Sequence, residues 1–314
     1  MPDLLSSSSC HIWWHSFVAH DLETGKPKPF YVEFYLCNQS EGSPKPVFGQ
    51  AKASKAAGLK PSYLMINAGS WGEDHSRIHR FHGCRKAEID DGYPFAISAG
   101  ESFLTEDATR GVVSVSPDEA ASCKEKMTGS GYMSWSLVVD KGTRTRYKGE
   151  VNWNGRRYSV SPDSCFGYSD CLKAISLPFI RLFCSSLKSE KSNKKLRDSS
   201  FELRSCDGAL LSSLEIAGRR FRFSGPFCHT VSKCREATRT VIWHVEQRRL
   251  FSKVVYDVSC RKRDMLLMCH ETPAGAKVSR HWSGGTGTGT VTLYRFGRQI
   301  DCLHVDNIFC DYAK

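Results

Sequence analysis

Short apolar segments of strand length, set apart by polar turn chemistry, recur along most of the chain. They fall at 31–37, 63–67, 112–115, 132–139, 146–153, 179–185, 219–223, 240–246, 253–260, 265–270 and 290–294. Short strands at this spacing predict a barrel or sandwich and not βαβ units. Turn signals lie between them at Asn154-Gly155, Asp207-Gly208, Ala217-Gly218 and Pro273-Ala274-Gly275. The stretch 151–160 is the clearest hairpin. Helical patterning is confined to 51–58 and to 116–121, where Ser116 caps and Pro117 opens a first turn. The polar, basic, Ser-rich stretch 188–200 reads as a long hairpin tip or a linker.

The densest aromatic pattern is Trp13-Trp14-His15-Ser16-Phe17, followed by Phe30-Tyr31-Val32-Glu33-Phe34-Tyr35. Successive side chains of a strand alternate faces, so one indole enters the core and the other points away from it. An indole left wet is uncommon without a reason. Between the runs, Gly25 and two prolines supply turn chemistry. The unit predicts a hairpin with an aromatic wall, suited to a barrel that holds an apolar ligand.

With 314 residues the chain can form one large β-domain or two modest ones. A net charge of +11 permits an acidic partner without identifying one. The basic residues are scattered over strand ends and turns, which is the pattern of a solvated surface. No apolar stretch approaches the roughly 20 residues that span a bilayer. The start lacks a basic region followed by an apolar one, which predicts a cytoplasmic protein. The 14 cysteines include Cys37, Cys184, Cys269 and Cys302 inside apolar runs, where a thiol acts as a small hydrophobe.

Several constellations invite a chemical reading. Gly284-Gly285-Thr286-Gly287-Thr288-Gly289 lacks the lysine of a phosphate loop and precedes a strand instead of opening a helix. It reads as a strand entry where backbones or a ligand approach closely. His75, His79, His82 and Cys84 have metal-ligand types at a spacing that suits a helix and a turn. No second knuckle accompanies them, so a His-rich surface loop is expected and no metal is assigned. Arginine pairs at 156–157, 219–220, 248–249 and 261–263 lie near aromatics, yet no RNP-like signature is present, and nucleic acid is disfavoured. Candidate acids are Glu33, Asp170 and the run Trp243-His244-Val245-Glu246. A carboxyl among rings is desolvated and stays a proton donor nearer neutrality.

In order along the chain, the opening hairpin, Gly69-Ser70-Trp71-Gly72-Glu73-Asp74, Met133-Ser134-Trp135-Ser136-Leu137, Gly167-Tyr168-Ser169-Asp170, Ile242-Trp243-His244-Val245-Glu246 and Trp282-Ser283-Gly284-Gly285-Thr286-Gly287 resemble the tocopherol cyclase-like proteins. That family is similar to carotenoid hydratases and lipocalin-like Diels–Alderases. The resemblance implies an all-β chain of two consecutive lipocalin-like antiparallel barrels, at 10–164 and 165–314. It implies acid-assisted cyclisation of a prenylated or polyene substrate without a cofactor, in an apolar chamber whose rings stabilise a cation. Asp170 matches the motif's acid. It is the first catalytic candidate, with His244 and Glu246 behind it on their residue types alone. Trp13, Trp14, Glu33, Trp71, Trp135, Tyr168, Trp243 and Trp282 are expected to bind substrate. After Asp170, where the family continues Lys-Asn-Trp-Gly, this chain reads Cys171-Leu172-Lys173-Ala174. That departure supports an alternative, a non-catalytic barrel for an apolar lipid or isoprenoid; a related hydratase or Diels–Alderase is the other alternative that the resemblance leaves open. The expected partner is an apolar small molecule. Peripheral contact with a membrane follows as a hypothesis from a basic protein that collects such a ligand.

Overall fold

The computed structural model describes residues 10–37, 63–72, 76–83, 87–90, 92–107, 110–115, 127–128, 133–140, 145–162, 166–172, 179–206, 208–271 and 277–313. The helical patterns at 51–58 and 116–121 and the turn at 273–275 lie outside them. Contacts divide the chain into two compact units. The first takes its described residues from 1–70, 75–175 and 269–280, and the second from 71–74, 176–268 and 281–314.

The strands of the first sheet are β1 (Cys10–Asp21), β2 (Pro27–Cys37), β3 (Tyr63–Ser70), β4 (Ser76–Gly83), β5 (Ala87–Asp90), β6 (Phe95–Ala99), β7 (Ser102–Glu106), β8 (Arg110–Val115), β9 (Met127–Thr128), β10 (Met133–Asp140), β11 (Thr145–Trp153), β12 (Arg156–Val160) and β13 (Phe166–Leu172). They run in the order β5-β6-β7-β8-β10-β11-β12-β1-β2-β3-β4-β9, and β13 pairs with β1 and β11. The strand that follows residue 165 thus completes the first sheet. Every pairing is antiparallel, as turn-linked strands allow.

Local chemistry explains the hairpins. The Asp21 carboxylate accepts hydrogen bonds from the backbone N–H of Glu23 (2.8 Å) and Thr24 (2.9 Å), and Gly25 takes φ +66°. Those amides hold the Asp21 carboxyl below its ordinary range. Asn154 and Gly155 both have positive φ, the backbone that a two-residue turn between twisted strands requires. The lumen side of the sheet is apolar: Trp13, Phe17, Phe30, Phe34, Ile66, Ile97, Leu104, Tyr147 and Trp153 are among its buried residues. Each such side chain contributes about 1.5–3 kcal/mol. An exposed pair such as Arg157–Glu150 (3.2 Å) contributes at most about 1 kcal/mol, so burial holds this barrel together.

The second sheet comprises β14 (Phe179–Cys184), β15 (Leu187–Ser189), β16 (Ser200–Cys206), β17 (Ala209–Ile216), β18 (Arg219–Phe223), β19 (Cys228–Glu236), β20 (Thr240–Arg249), β21 (Ser252–Arg261), β22 (Met265–Glu271), β23 (Lys277–Arg295) and β24 (Arg298–Ala313). Its order is β18-β17-β16-β14-β24-β23-β21-β20-β19, with β15 on β24 and β22 on β23. Its core gathers Leu182, Phe201, Leu214, Trp243, Val254, Tyr256, Val291 and Tyr312. The Gly-rich run lies inside β23, where the register shifts between Gly284 and Thr288. A Cβ on Gly289 would stand 2.0 Å from the Asp257 carbonyl oxygen, so close backbone approach dictates glycine there. The stretch 188–200 contains a hairpin: β15 pairs with β24, Lys188 bridges antiparallel to Lys195, and the tip lies between them.

Both units are lipocalin-like antiparallel barrels. Among the described residues no helix is long and apolar enough to cross a membrane.

Candidate active site

Alternation along β1 decides what the aromatic run does. Trp13, His15 and Phe17 face the lumen of the first barrel, and Trp14 and Ser16 face the other side. Both indoles are buried at 2% exposure, so the ring that points away from the first core is covered as well. Trp13 stacks on Phe95 (4.7 Å between centroids, 10° between planes) and Trp14 on Tyr31 (5.4 Å, 1°). The reverse face of this hairpin carries its own apolar cluster of Ile12, Tyr35, Cys37, Tyr63, Met65 and Phe81.

Within the lumen, His15 from β1 stands between two other titratable groups. Its Nδ1 lies 3.1 Å from the Tyr147 hydroxyl of β11, at hydrogen-bond distance. Its Nε2 lies 3.7 Å from Glu106 Oε2 of β7, an ion-pair distance when the imidazole is protonated. Phe17 packs on the Tyr147 ring at 5.1 Å. The His15 side chain is 1% exposed and that of Glu106 10%, so the carboxylate is the member that meets solvent. A carboxylate, an imidazole and a phenol brought together are the group types that acid–base chemistry uses. Arg80 and His82 of β4 are also buried, at positions opposite Ile66 and Leu64.

A second polar row crosses the sheet. Its register runs Asp170, Trp14, Glu33, Asn67, His79 over β13, β1, β2, β3 and β4. Glu33 is fully buried and accepts a hydrogen bond from Asn67 Nδ2 (3.1 Å). His79 Nε2 lies 2.7 Å from Met65 Sδ. Burial pushes the Tyr31 phenol far above its ordinary value, with Arg77 opposing and Glu33 adding to the rise. Glu33 is enclosed more completely than Glu106, which favours the lumen triad for proton exchange.

The other sequence candidates separate. Asp170 stands opposite Trp14, Tyr168 opposite Ser16, and Trp135 between Val115 and Val151; for these three the structure describes the backbone. His244 and Glu246 do not enter a lumen. Alternation on β20 turns Trp243 and Val245 into the core and sends these two outward. There His244 Nδ1 pairs with Asp257 Oδ1 (2.6 Å) on an exposed surface, and Glu246 pairs with Arg248 (2.6 Å) and Lys253 (3.6 Å). The latter contacts hold the Glu246 carboxyl below its ordinary range, the opposite of what a proton donor needs. Trp243 is a core residue, edge-on to Tyr312 at 5.5 Å, and Trp71 is buried 5.5 Å from Phe309. Trp282 is 38% exposed.

The His79/His82 reading also changes. His75 and Cys84 lie outside the described residues; His79 and His82 lie on the buried strand β4, not on a surface loop, and a spacing of three on a strand sends them to opposite faces. Among the described residues no group of His, Cys, Asp and Glu could hold a metal ion. His15, Tyr147 and Glu106 went unread as a site because they come from three distant strands. The available signal was a histidine on the Trp13/Phe17 face.

No protein-family model matches the chain, and no curated protein matches it in sequence. The likeness is one of structure. A candidate AttH protein of Nitrosomonas europaea superposes with a TM-score of 0.53 at 10% identity, over 100% of this chain and 97% of that one. Kievitone hydratase of Nectria haematococca superposes with a TM-score of 0.51 at 8% identity, over 100% and 93%. The fold is shared. At these identities the likeness extends to architecture alone.

Proposed function

We propose that the first barrel is a cofactor-independent acid–base chamber for an apolar prenylated or polyene substrate, of the kind the tocopherol cyclase-like resemblance implies. The observation that carries it is His15 held between Tyr147 and Glu106 inside an aromatic lumen. In cyclisation, the Tyr147 hydroxyl gives its proton to a prenyl double bond while imidazolium His15 reprotonates the phenolic oxygen. The substrate's own phenol oxygen then bonds to the cationic carbon, and its proton returns through His15 and Glu106. The product has the mass of the substrate. Trp13, Phe17 and Phe95 supply ring faces to the cation. Capture by water instead of phenol gives a hydrated product by the same first step. That a protein of similar fold is named a kievitone hydratase supports this variant.

Turnover of a prenylquinol panel by Tyr147→Phe, His15→Ala and Glu106→Gln tests the assignment, with Asp170→Asn beside them. Removing a general acid or base is expected to lower kcat about 10²–10⁴-fold for Tyr147 and His15. Full activity in both lumen variants with loss in Asp170→Asn would move the acid to β13. Retention of an apolar ligand by the native protein, with no product from any panel member, would leave a binding barrel.

A further inference from the structure

Among the described residues, most of the strongly exposed apolar side chains gather at one end of the second sheet. Among the described residues, four of the five most exposed large hydrophobics are Leu250 (80%), Phe227 (79%), Phe251 (68%) and Phe296 (66%). They come from three separate connections: β18 to β19, β20 to β21, and β23 to β24. The register brings them to the same end. Phe227 directly precedes the pair Cys228↔Arg249, Leu250 and Phe251 link Arg249↔Ser252, and Phe296 follows the pair Ser252↔Arg295. The Phe296 N–H donates to the Phe251 carbonyl (2.8 Å), and the two rings stack at 5.0 Å. Single scattered apolar residues on a surface need no explanation, but a contiguous exposed cluster does.

Two further observations give the cluster a direction. First, Leu250 and Phe296 have φ of 50° and 49°, left-handed backbone that bulky side chains avoid. The chain uses Asn154 and Gly155 for the same geometry elsewhere. Apolar residues therefore stand at these two tips against their backbone preference. Second, the rim is basic. Segments 222–228, 246–253 and 294–298 hold six basic residues and one acidic residue, Glu246, which Arg248 and Lys253 already engage. Arg222, Arg249 and Arg295 line a cleft of about 280 Å³ between these tips, together with Phe221, Phe223, Leu250, Phe251 and Phe296.

We infer that this end of the second barrel docks on an anionic lipid surface, with Leu250, Phe251, Phe296 and Phe227 entering the interface and the arginines meeting lipid phosphates and carboxylates. Apolar side chains that project beyond a basic rim are the two components of peripheral membrane binding. An aliphatic tip such as Leu250 offers no base-stacking face, and Phe251 and Phe296 already cover one another, which favours lipid over single-stranded nucleic acid. The inference rests on the second unit alone and stands apart from the chemistry assigned to the first.

Co-sedimentation of the full chain with phosphatidylcholine vesicles, with and without phosphatidylserine, tests it. Binding is expected only with phosphatidylserine and is expected to fall as salt rises. The double variant Leu250→Asn/Phe296→Asn places a residue suited to left-handed backbone at both tips, so it should fold while losing at least about tenfold in partitioning. Arg249→Gln and Arg295→Gln should each weaken binding about fivefold. Equal binding to neutral vesicles, or no binding to phosphatidylserine vesicles at low salt, would overturn the inference. So would a doubly substituted protein that binds like wild type. Tight binding of labelled oligothymidine without vesicle binding, lost in the same variants, would reassign the surface to nucleic acid.

Discussion

The Cys184 side chain shows how placement sets chemistry at the scale of one residue. Its thiol donates to the Asp306 carbonyl (3.2 Å), and burial pushes its pKa up to about 12. Thiolate is the reactive form, so Cys184 should resist a maleimide at pH 8 while exposed Cys234 reacts, and should label only on unfolding. Peptide mapping after timed labelling reads this directly; labelling of both at equal rates in the native protein would contradict it. His15 belongs to the same scale. Its residue type and its face were legible beside Trp13 and Phe17, but its partners were not. A strand pattern says which side a residue faces and leaves open which of a dozen strands lies across the lumen. The outward turn of His244 and Glu246 was legible in principle, since Trp243 and Val245 between and beside them are the stronger apolar residues.

At the scale of elements, the hairpins were readable because Asn154-Gly155 and Ala217-Gly218 announce them chemically. The placement of β4 was not. His79 and His82 at a spacing of three suggest a helix, and burial among β3 neighbours overrides that local hint. The Gly-rich run was legible as a place of close approach, and the contact is with the β21 backbone. Gly289→Ala should therefore cost about 3 kcal/mol, because Cβ meets the Asp257 carbonyl and the ladder must shift. Gly155→Ala, with open space but φ +77°, should cost about 1–2 kcal/mol. Urea unfolding of the pair distinguishes the two causes; equal losses would contradict the argument. The β14–β24 pairing holds a buried ion pair, Arg181 Nη2 to Asp311 Oδ2 at 2.6 Å, both side chains at most 4% exposed. Arg181→Leu strands a buried carboxylate and should cost about 3–5 kcal/mol, whereas Arg181→Leu with Asp311→Leu should recover most of it. A double variant as unstable as the single one would show that the pair itself carries the stability.

For the whole molecule, the class of fold was readable from strand length and turn chemistry, and two lipocalin-like barrels are what the chain forms. The second barrel closes part of its interior with a polar network: Tyr256 donates to Ser212 (2.9 Å), Ser212 donates to Gln247, and Gln247 donates to the Leu210 carbonyl (2.8 Å). Such a satisfied network fixes a core. The first barrel instead keeps an imidazole between two groups that can exchange protons with it. This difference is the structural ground on which the proposed chemistry is placed in the first unit. The most direct measurement is mass spectrometry of products formed from a prenylquinol panel in D₂O. The account predicts that native protein adds one solvent deuteron to a prenyl carbon, giving a cyclised or hydrated product, and that Tyr147→Phe and His15→Ala abolish it. A bound apolar ligand that never gains deuterium, or equal incorporation by the variants, would contradict it.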